Sequence, residues 1–374
     1  MRDFPSIEAM LASLEPVAPV YCVHPERLAS AADEFLTGFP GRVLYAVKAN
    51  NDPTVLDALY AAGIRHYDCA SLREIEAIAT RYADAKCYFM SPVRFPGDAA
   101  AAFDSHGVRH FMADSEPAIA DLLGEIDAAR CVVFARMAVS HESAVEDLSS
   151  KYGAPPDEVP AILERIRESG AEPALAFNVG SGVRSPAAYA HAIDVASETL
   201  SQLPFKVRLI DIGGGFPRPY PGFEVPPLAE FFTSIREAMQ ALPLTTGGEL
   251  LAEPGRSLCA TGMSTVVRVL LRKHDRIYVN DGMYGGFWEL RFDGHKQHPV
   301  TVYRNGKTLD GAVTPFVVFG PTCDSTDRLP ERVSLPQDIA VGDHIAFDCT
   351  GAYSLSGRTD FNGFYSDAVV TVSR

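Results

Sequence analysis

Residues 42 to 68, RVLYAVKANNDPTVLDALYAAGIRHYD, carry the pattern that decides the fold. The apolar run over 42–47 reads as a buried strand, Val55–Ala62 as a helix, and 64–68 as a second strand. The first strand ends on Lys48, inside YAVKAN (45–50). An ammonium is costly to desolvate, so a lysine at the mouth of a buried strand calls for a partner. Desolvation is expected to lower its pKa, and the neutral amine is the form that condenses with an aldehyde. Taken alone, Lys48 is better explained by a side chain that reaches solvent past the strand end. The rest of the chain changes that balance.

The same rhythm repeats along the chain. Short apolar runs recur at 42–47, 64–68, 86–90, 108–112, 130–137, 174–177, 207–212 and 249–252. Between them lie alanine-rich helical segments: Val55–Ala62, Leu72–Arg81, Pro96–Phe103, Glu116–Glu125, Pro156–Glu168, Pro186–Leu200 and Leu228–Leu242. Eight strands alternating with helices predict a (β/α)8 barrel of the TIM type, with a doubly wound open sheet as the runner-up. Upstream, 16–23 reads as a strand and His24–Phe39 as an amphipathic helix. After Glu253 the pattern becomes all-β: STVVRVLLRK, RIYVNDG, HPVTVYR, TPFVVFG, DHIAFDC and DAVVTVSR, with turns at Asn305-Gly306 and Val341–Asp343. The expected organisation is therefore α/β: a barrel over 24–257 and a C-terminal all-β domain, sandwich- or barrel-like. That second domain is assembled from 258–374 and from 1–23, whose strand joins it.

Composition narrows the function. With 374 residues, 47% of them hydrophobic, the chain can bury a large core. A net charge of −15 and the absence of a basic run argue against nucleic acid as a partner. Seven scattered cysteines without a C-x-x-C pair argue for reduced thiols in a cytoplasmic protein, and against a disulfide framework or zinc cluster. The opening MRDFPSIEAMLASLEP is acidic and lacks an apolar core, so it is not read as a signal peptide, and no run suits a membrane span.

In a barrel the reactive groups stand at the C-terminal ends of the strands. Read in turn, those ends give Lys48, Asp68, Ser91, Asp114, Arg136, Asn178, the glycines 213–215 and Glu253. Three glycines let backbone N–H groups approach an anion closely, and phosphate sites near strands seven and eight are common in barrels. In isolation the triplet is equally well read as a tight turn. Ser181 and Gly182 can donate to the same phosphate, and Arg256 in EPGR (253–256) supplies a counter-charge. Glu253 at the mouth suits a pyridine nitrogen, keeping it protonated so that the ring becomes an electron sink. The alternative for Glu253 is an ordinary buried salt bridge. Lysine, phosphate cradle and ring-nitrogen carboxylate together ask for pyridoxal 5′-phosphate.

Nine blocks, in order, then resemble a known family: YAVKAN, YDCASLREIE (67–76), DLSSKYGAP (147–155), FNVGSG (177–182), DIGGGFP (211–217), EPGR, DGMYGGF (281–287), GPTCDSTD (320–327) and GAYS…FNGF (351–364). They are similar to the ornithine/lysine decarboxylase branch of the barrel-type pyridoxal-phosphate enzymes, and nine collinear blocks are far more specific than one. The resemblance implies decarboxylation of a basic L-amino acid to a diamine. It implies that Lys48 carries the cofactor, with Asp68 near the ring edge and Arg136 beside the lysine. Ser181, Gly214, Gly215, Gly255, Arg256 and Tyr353 hold the phosphate, and Glu253 meets the ring nitrogen. It further implies a head-to-tail homodimer in which Cys323 and Asp324 reach the neighbour's site, Cys323 as the proton donor. Asp324, Asp293 and Phe361 then line the substrate's distal end, where paired carboxylates favour a cationic side chain.

Two positions depart from the family pattern. Asn178 stands where the family has a histidine stacked on the cofactor ring, and Phe292 where it commonly has tyrosine. Asparagine neither stacks comparably nor titrates near neutrality. The substitution is read either as tolerated or as marking a changed outcome, such as racemisation. A non-catalytic regulatory relative is a third reading, against which Lys48, Glu253, Arg256 and Cys323 count. His295 and His298 form an H-x-x-H in a presumed loop, expected to be solvated rather than metal-binding, so no metal is called for. His141 and Trp288 are candidates for the pocket mouth or for the surface.

Overall fold

The structure is a computed structural model that describes residues 2–139, 149–292 and 296–373. Two short strands open the chain, β1 (Asp3–Phe4) and β2 (Val20–Val23). Eight more follow: β3 (Arg42–Ala46), β4 (His66–Cys69), β5 (Lys86–Phe89), β6 (His110–Ala113), β7 (Val132–Met137), β8 (Glu172–Phe177), β9 (Leu209–Asp211) and β10 (Glu249–Ala252). All eight pair in parallel and close on themselves, β10 returning to β3. Each expected strand run has its counterpart, so the barrel reading holds and the open sheet does not.

Alternation along each strand divides the packing. Leu44, Tyr88, Met112, Phe134, Ala174, Leu209 and Leu251 fill the barrel interior. Their neighbours, such as Val43, Tyr45, Phe89 and Leu250, face the surrounding helices. The helices dock by their apolar stripes. In Leu72–Ala79, Ile75 and Ile78 are buried, and the Ser71 hydroxyl accepts from the Glu74 N–H at the start. In Pro53–Ala61 the Asp52 carboxylate does the same for Thr54, just after Lys48.

The remaining strands form a ten-stranded sheet: β11 (Met263–Lys273), β12 (Arg276–Val279), β13 (Val300–Arg304), β14 (Lys307–Thr308), β15 (Val313–Phe319), β16 (Val333–Pro336), β17 (His344–Phe347) and β18 (Val369–Val372), with β1 and β2. β2 lies between β18 and β11, so the N-terminal strand joins this sheet as expected. At Asn305-Gly306 both φ angles are positive, 53° and 72°, and Arg304 pairs with Lys307, which makes the two-residue primed hairpin turn. The helix Ile7–Leu14 and the strands β14 and β16 have no counterpart in the sequence reading. Among the described residues no helix is long and apolar enough to cross a membrane.

Candidate active site

The register of the barrel brings its reactive groups together. Ala46 pairs with Asp68 across β3 and β4, so Asp68 ends its strand beside the turn that carries Lys48. The Lys48 ammonium donates to Asp68 Oδ2 at 2.7 Å. Asp68 is 1% exposed, whereas 46% of the Lys48 side chain is accessible. That accessible surface opens into a cavity of about 490 Å³ at the C-terminal ends of the barrel strands.

Most of the expected residues line this cavity: Lys48, Ser91, Arg136, Asn178, Ser181, Gly214, Gly215, Glu253, Gly255, Arg256 and Tyr353. Asp114 does not. Its Oδ2 accepts from the Gly153 N–H at 3.0 Å, and the residue lines a neighbouring groove instead. Cys323, Asp324 and Phe361 are also elsewhere, together on the exposed outer face of the β domain. There Asp324 pairs with the Tyr284 hydroxyl, Phe361 stacks on Tyr284 at 4.6 Å, and the Cys323 N–H donates to Asn362 Oδ1. The Tyr284 hydroxyl lowers the Asp324 carboxyl pKa below the usual range. Asp293, His141 and His295 lie outside the described residues.

Two expectations need correction. Burial does oppose the charge on Lys48, but the carboxylates of Asp68 and Glu253, with Tyr353, outweigh it and raise the amine's pKa. Lys48 is thus held as an ammonium, not as a neutral amine. His298 is half-buried rather than fully solvated: its Nδ1 lies 2.9 Å from the Asp348 carbonyl, and its ring stands edge-on to Tyr220. Among the described residues no cluster of ligand side chains suits a metal ion. Trp288 packs against Gly357 and Phe292 and does not line the cavity.

Behind Glu253 stands Asp211, a carboxylate the sequence reading passed over. It is fully buried, accepts from the Gly213 N–H at 2.8 Å through Oδ1, and leaves Oδ2 without a partner. Burial raises its pKa to about 7, and burial with Asp211 and Asp68 nearby raises that of Glu253. Only the position of Asp211, two residues before the glycines, could have signalled it. Tyr152, over which the Arg136 guanidinium lies at 5.3 Å, also lines the cavity unforeseen, although it stands in one of the quoted blocks.

The cradle needs its glycines. A Cβ on Gly213 would come within 2.5 Å of the Phe177 carbonyl, and φ there is +70°. On Gly215, with φ +93°, a Cβ would approach the Gly180 carbonyl to 2.4 Å. Asn178 works within this turn: its Oδ1 accepts from the Gly180 N–H at 3.0 Å. The cavity also carries buried polar atoms that the protein leaves unpartnered, Glu253 Oε1, Asp68 Oδ1 and Arg256 Nε. Such atoms are costly unless something meets them. A cationic ring nitrogen suits the first, a phosphate the last, and Lys48 offers the amine for an aldehyde. The residues fit pyridoxal 5′-phosphate.

Fold and site together present a (β/α)8 barrel with a strand-end lysine in a cavity whose lining suits a phosphorylated aldehyde. Residues 25–260 match the pyridoxal-binding domain of the pyridoxal-dependent decarboxylases, and the chain belongs to that family, with pyridoxal 5′-phosphate as its cofactor. Antizyme inhibitor 2 of Xenopus laevis is 31% identical over 360 residues, covering 90% of this chain and 76% of that protein. The lysine/ornithine decarboxylase of Selenomonas ruminantium is 32% identical over 333 residues, covering 86% and 81%. In three dimensions the arginine decarboxylase of Paramecium bursaria Chlorella virus, solved with agmatine, has a TM-score of 0.85 at 26% identity, covering 97% of this chain and 98% of that one.

Proposed function

We propose that this decarboxylase acts on a basic L-amino acid, ornithine or lysine, and releases CO2 and a diamine. The observation that carries the reading is the Lys48–Asp68 pair at the base of a glycine-cradled cavity. Similarity to a lysine/ornithine decarboxylase supports the substrate class. In this reading Gly214, Gly215, Gly255, Ser181, Arg256 and Tyr353 hold the phosphate and Glu253 faces the ring nitrogen. Pyridoxal 5′-phosphate, when bound, supplies an electron sink for the electron pair left as CO2 departs.

The protein's own groups then have three tasks. Asp68 orients the Lys48 amine through its 2.7 Å bond and keeps a proton at Nζ until the site is loaded. Arg136, stacked over Tyr152, adds positive charge beside the lysine and attracts the substrate's carboxylate to the cavity. Cys323 Sγ delivers a proton to the carbon that has lost CO2. Because Cys323 stands exposed and Asp324 half-buried on the β domain, away from the cavity of their own chain, the reading includes a homodimer. The outer face of one protomer covers the barrel mouth of its partner and brings in Asp324 for the substrate's distal ammonium.

The test is mass spectrometry with chiral chromatography on the cofactor-loaded protein, incubated with ornithine, lysine, arginine and their D-forms. A product lighter by one CO2 from L-ornithine or L-lysine is expected. Unchanged mass with inverted chirality would instead make Asn178 the mark of a racemase. Absence of turnover together with absence of cofactor uptake would align the chain with antizyme inhibitor 2.

A further inference from the structure

Arg256 has an attachment that a phosphate cradle alone does not require. Its guanidinium is ion-paired with Glu289, from the short helical turn Trp288–Arg291 of the β domain. Glu289 Oε1 also accepts from Lys296 Nζ at 3.0 Å. The three side chains are 8%, 9% and 1% exposed, so among the described residues Glu289 is a buried carboxylate shared by two buried cations. Burial opposes the charge on Glu289, but Arg256 and Lys296 prevail and hold its carboxyl below the usual pKa range. Beside the network the Lys296 ammonium lies 5.4 Å from the Tyr220 ring, and the Tyr220 hydroxyl is buried without a partner.

Buried charges are tolerated when they are matched, and removing one member leaves an uncompensated charge. Among the described residues Glu289 is the carboxylate paired with Arg256. Arg256 also lines the cavity, and its buried Nε–H has no hydrogen-bond partner, so the guanidinium keeps donor capacity for a second anion. A phosphate arriving there meets an arginine that already has a carboxylate against it. Like charges in a buried site repel strongly, so the carboxylate and the phosphate compete for one cation.

We propose that Glu289 is a resident counter-ion for Arg256: it stands in for the cofactor's phosphate in the apoenzyme and thereby weakens the hold on that phosphate once it binds. The proposal rests on the assignment of Arg256 to the phosphate. Glu289 is a positioning residue in this scheme, and Lys296 moderates it by sharing the carboxylate's charge. The two residues therefore have opposite effects on cofactor affinity. Neutralising Glu289 frees Arg256 for the phosphate, and neutralising Lys296 removes a cation that shares Glu289 with Arg256.

The experiment uses protein stripped of cofactor. Thermal melts are recorded alone and with pyridoxal 5′-phosphate, unphosphorylated pyridoxal or inorganic phosphate, and the cofactor is titrated by its absorbance. Glu289→Gln is expected to lower the apo Tm, to enlarge the Tm gain given by pyridoxal 5′-phosphate and inorganic phosphate but not by pyridoxal, and to tighten the cofactor Kd about tenfold. Lys296→Met is expected to weaken it. Equal loss of Tm in apo and loaded protein with an unchanged Kd would reduce Glu289 to a structural residue and overturn the proposal, as would weaker cofactor binding in Glu289→Gln. If Glu289→Gln does not fold, an unchanged Kd in Lys296→Met overturns it alone. Wild-type protein that binds pyridoxal as tightly as pyridoxal 5′-phosphate would show instead that the phosphate assignment fails.

Discussion

The barrel mouth and the outer face of the β domain treat their polar groups in opposite ways. At the barrel mouth Asp68, Asp211 and Glu253 are buried around Lys48, and each carboxylate keeps one oxygen without a protein partner. On the outer face Cys323 is exposed and Asp324 half-buried, and Asp324 is already satisfied by Tyr284. The first region is preorganised for a ligand within one chain, because its desolvation is already in place. The second has water around it, and a thiol or carboxylate in water has little electrostatic leverage. The contrast teaches that half of the proposed chemistry resides in a single chain, while the other half needs a surface to cover it.

The largest effect that would sharpen this contrast comes from Lys48. Lys48→Ala is expected to abolish turnover and the absorbance change on adding pyridoxal 5′-phosphate; retained activity would detach the chemistry from the barrel mouth. Next comes Cys323→Ala, expected to lower kcat about 10²- to 10⁴-fold, the range for a lost proton donor, while cofactor absorbance stays as in the wild type. An unchanged kcat would leave the outer face out of the chemistry.

A smaller effect belongs to Asp211 in the apoenzyme. Its folded-state pKa is raised to about 7, so between the usual carboxyl range and pH 7 the folded state binds more protons than the unfolded state. Apoenzyme stability therefore falls as pH rises through that window, by up to about 1.4 kcal/mol per unit from this group, and levels off above it. Asp211→Asn is expected to flatten that slope in denaturant titrations at pH 5, 6, 7 and 8; an unchanged slope would show that Asp211 is not the buried acid of the site.

The sequence made the barrel legible because parallel strands, covered on both faces, read as continuous apolar runs, and each such run ended on a polar residue. Lys48, Arg136 and Glu253 were found that way, since a position at a strand end fixes which cavity a residue faces. Asp114 shows the limit: it sits at a strand end too, but its side chain turns to the Gly153 N–H. The charge state of Lys48 was not legible, because it depends on Asp68 and Glu253 arriving from different strands. Glu289 and Lys296 were not singled out, since a buried ion pair has no local pattern. The helix Ile7–Leu14 was missed because its apolar stripe is short and its start is marked only by Ser6, whose hydroxyl accepts from the Ala9 N–H.

The central claim, that the two regions act together across a pair of protomers, is tested most directly by mixing two inactive variants. Lys48→Ala and Cys323→Ala protein, each purified, are dissociated together, reassociated and assayed for CO2 release. A mixed dimer in which each protomer supplies the part its partner lacks has one intact site, so recovery to roughly a quarter of wild-type activity is expected from random pairing. Activity no greater than the sum of the separate variants, with mixed dimers demonstrated in the sample, would contradict the account and confine the chemistry to a single chain.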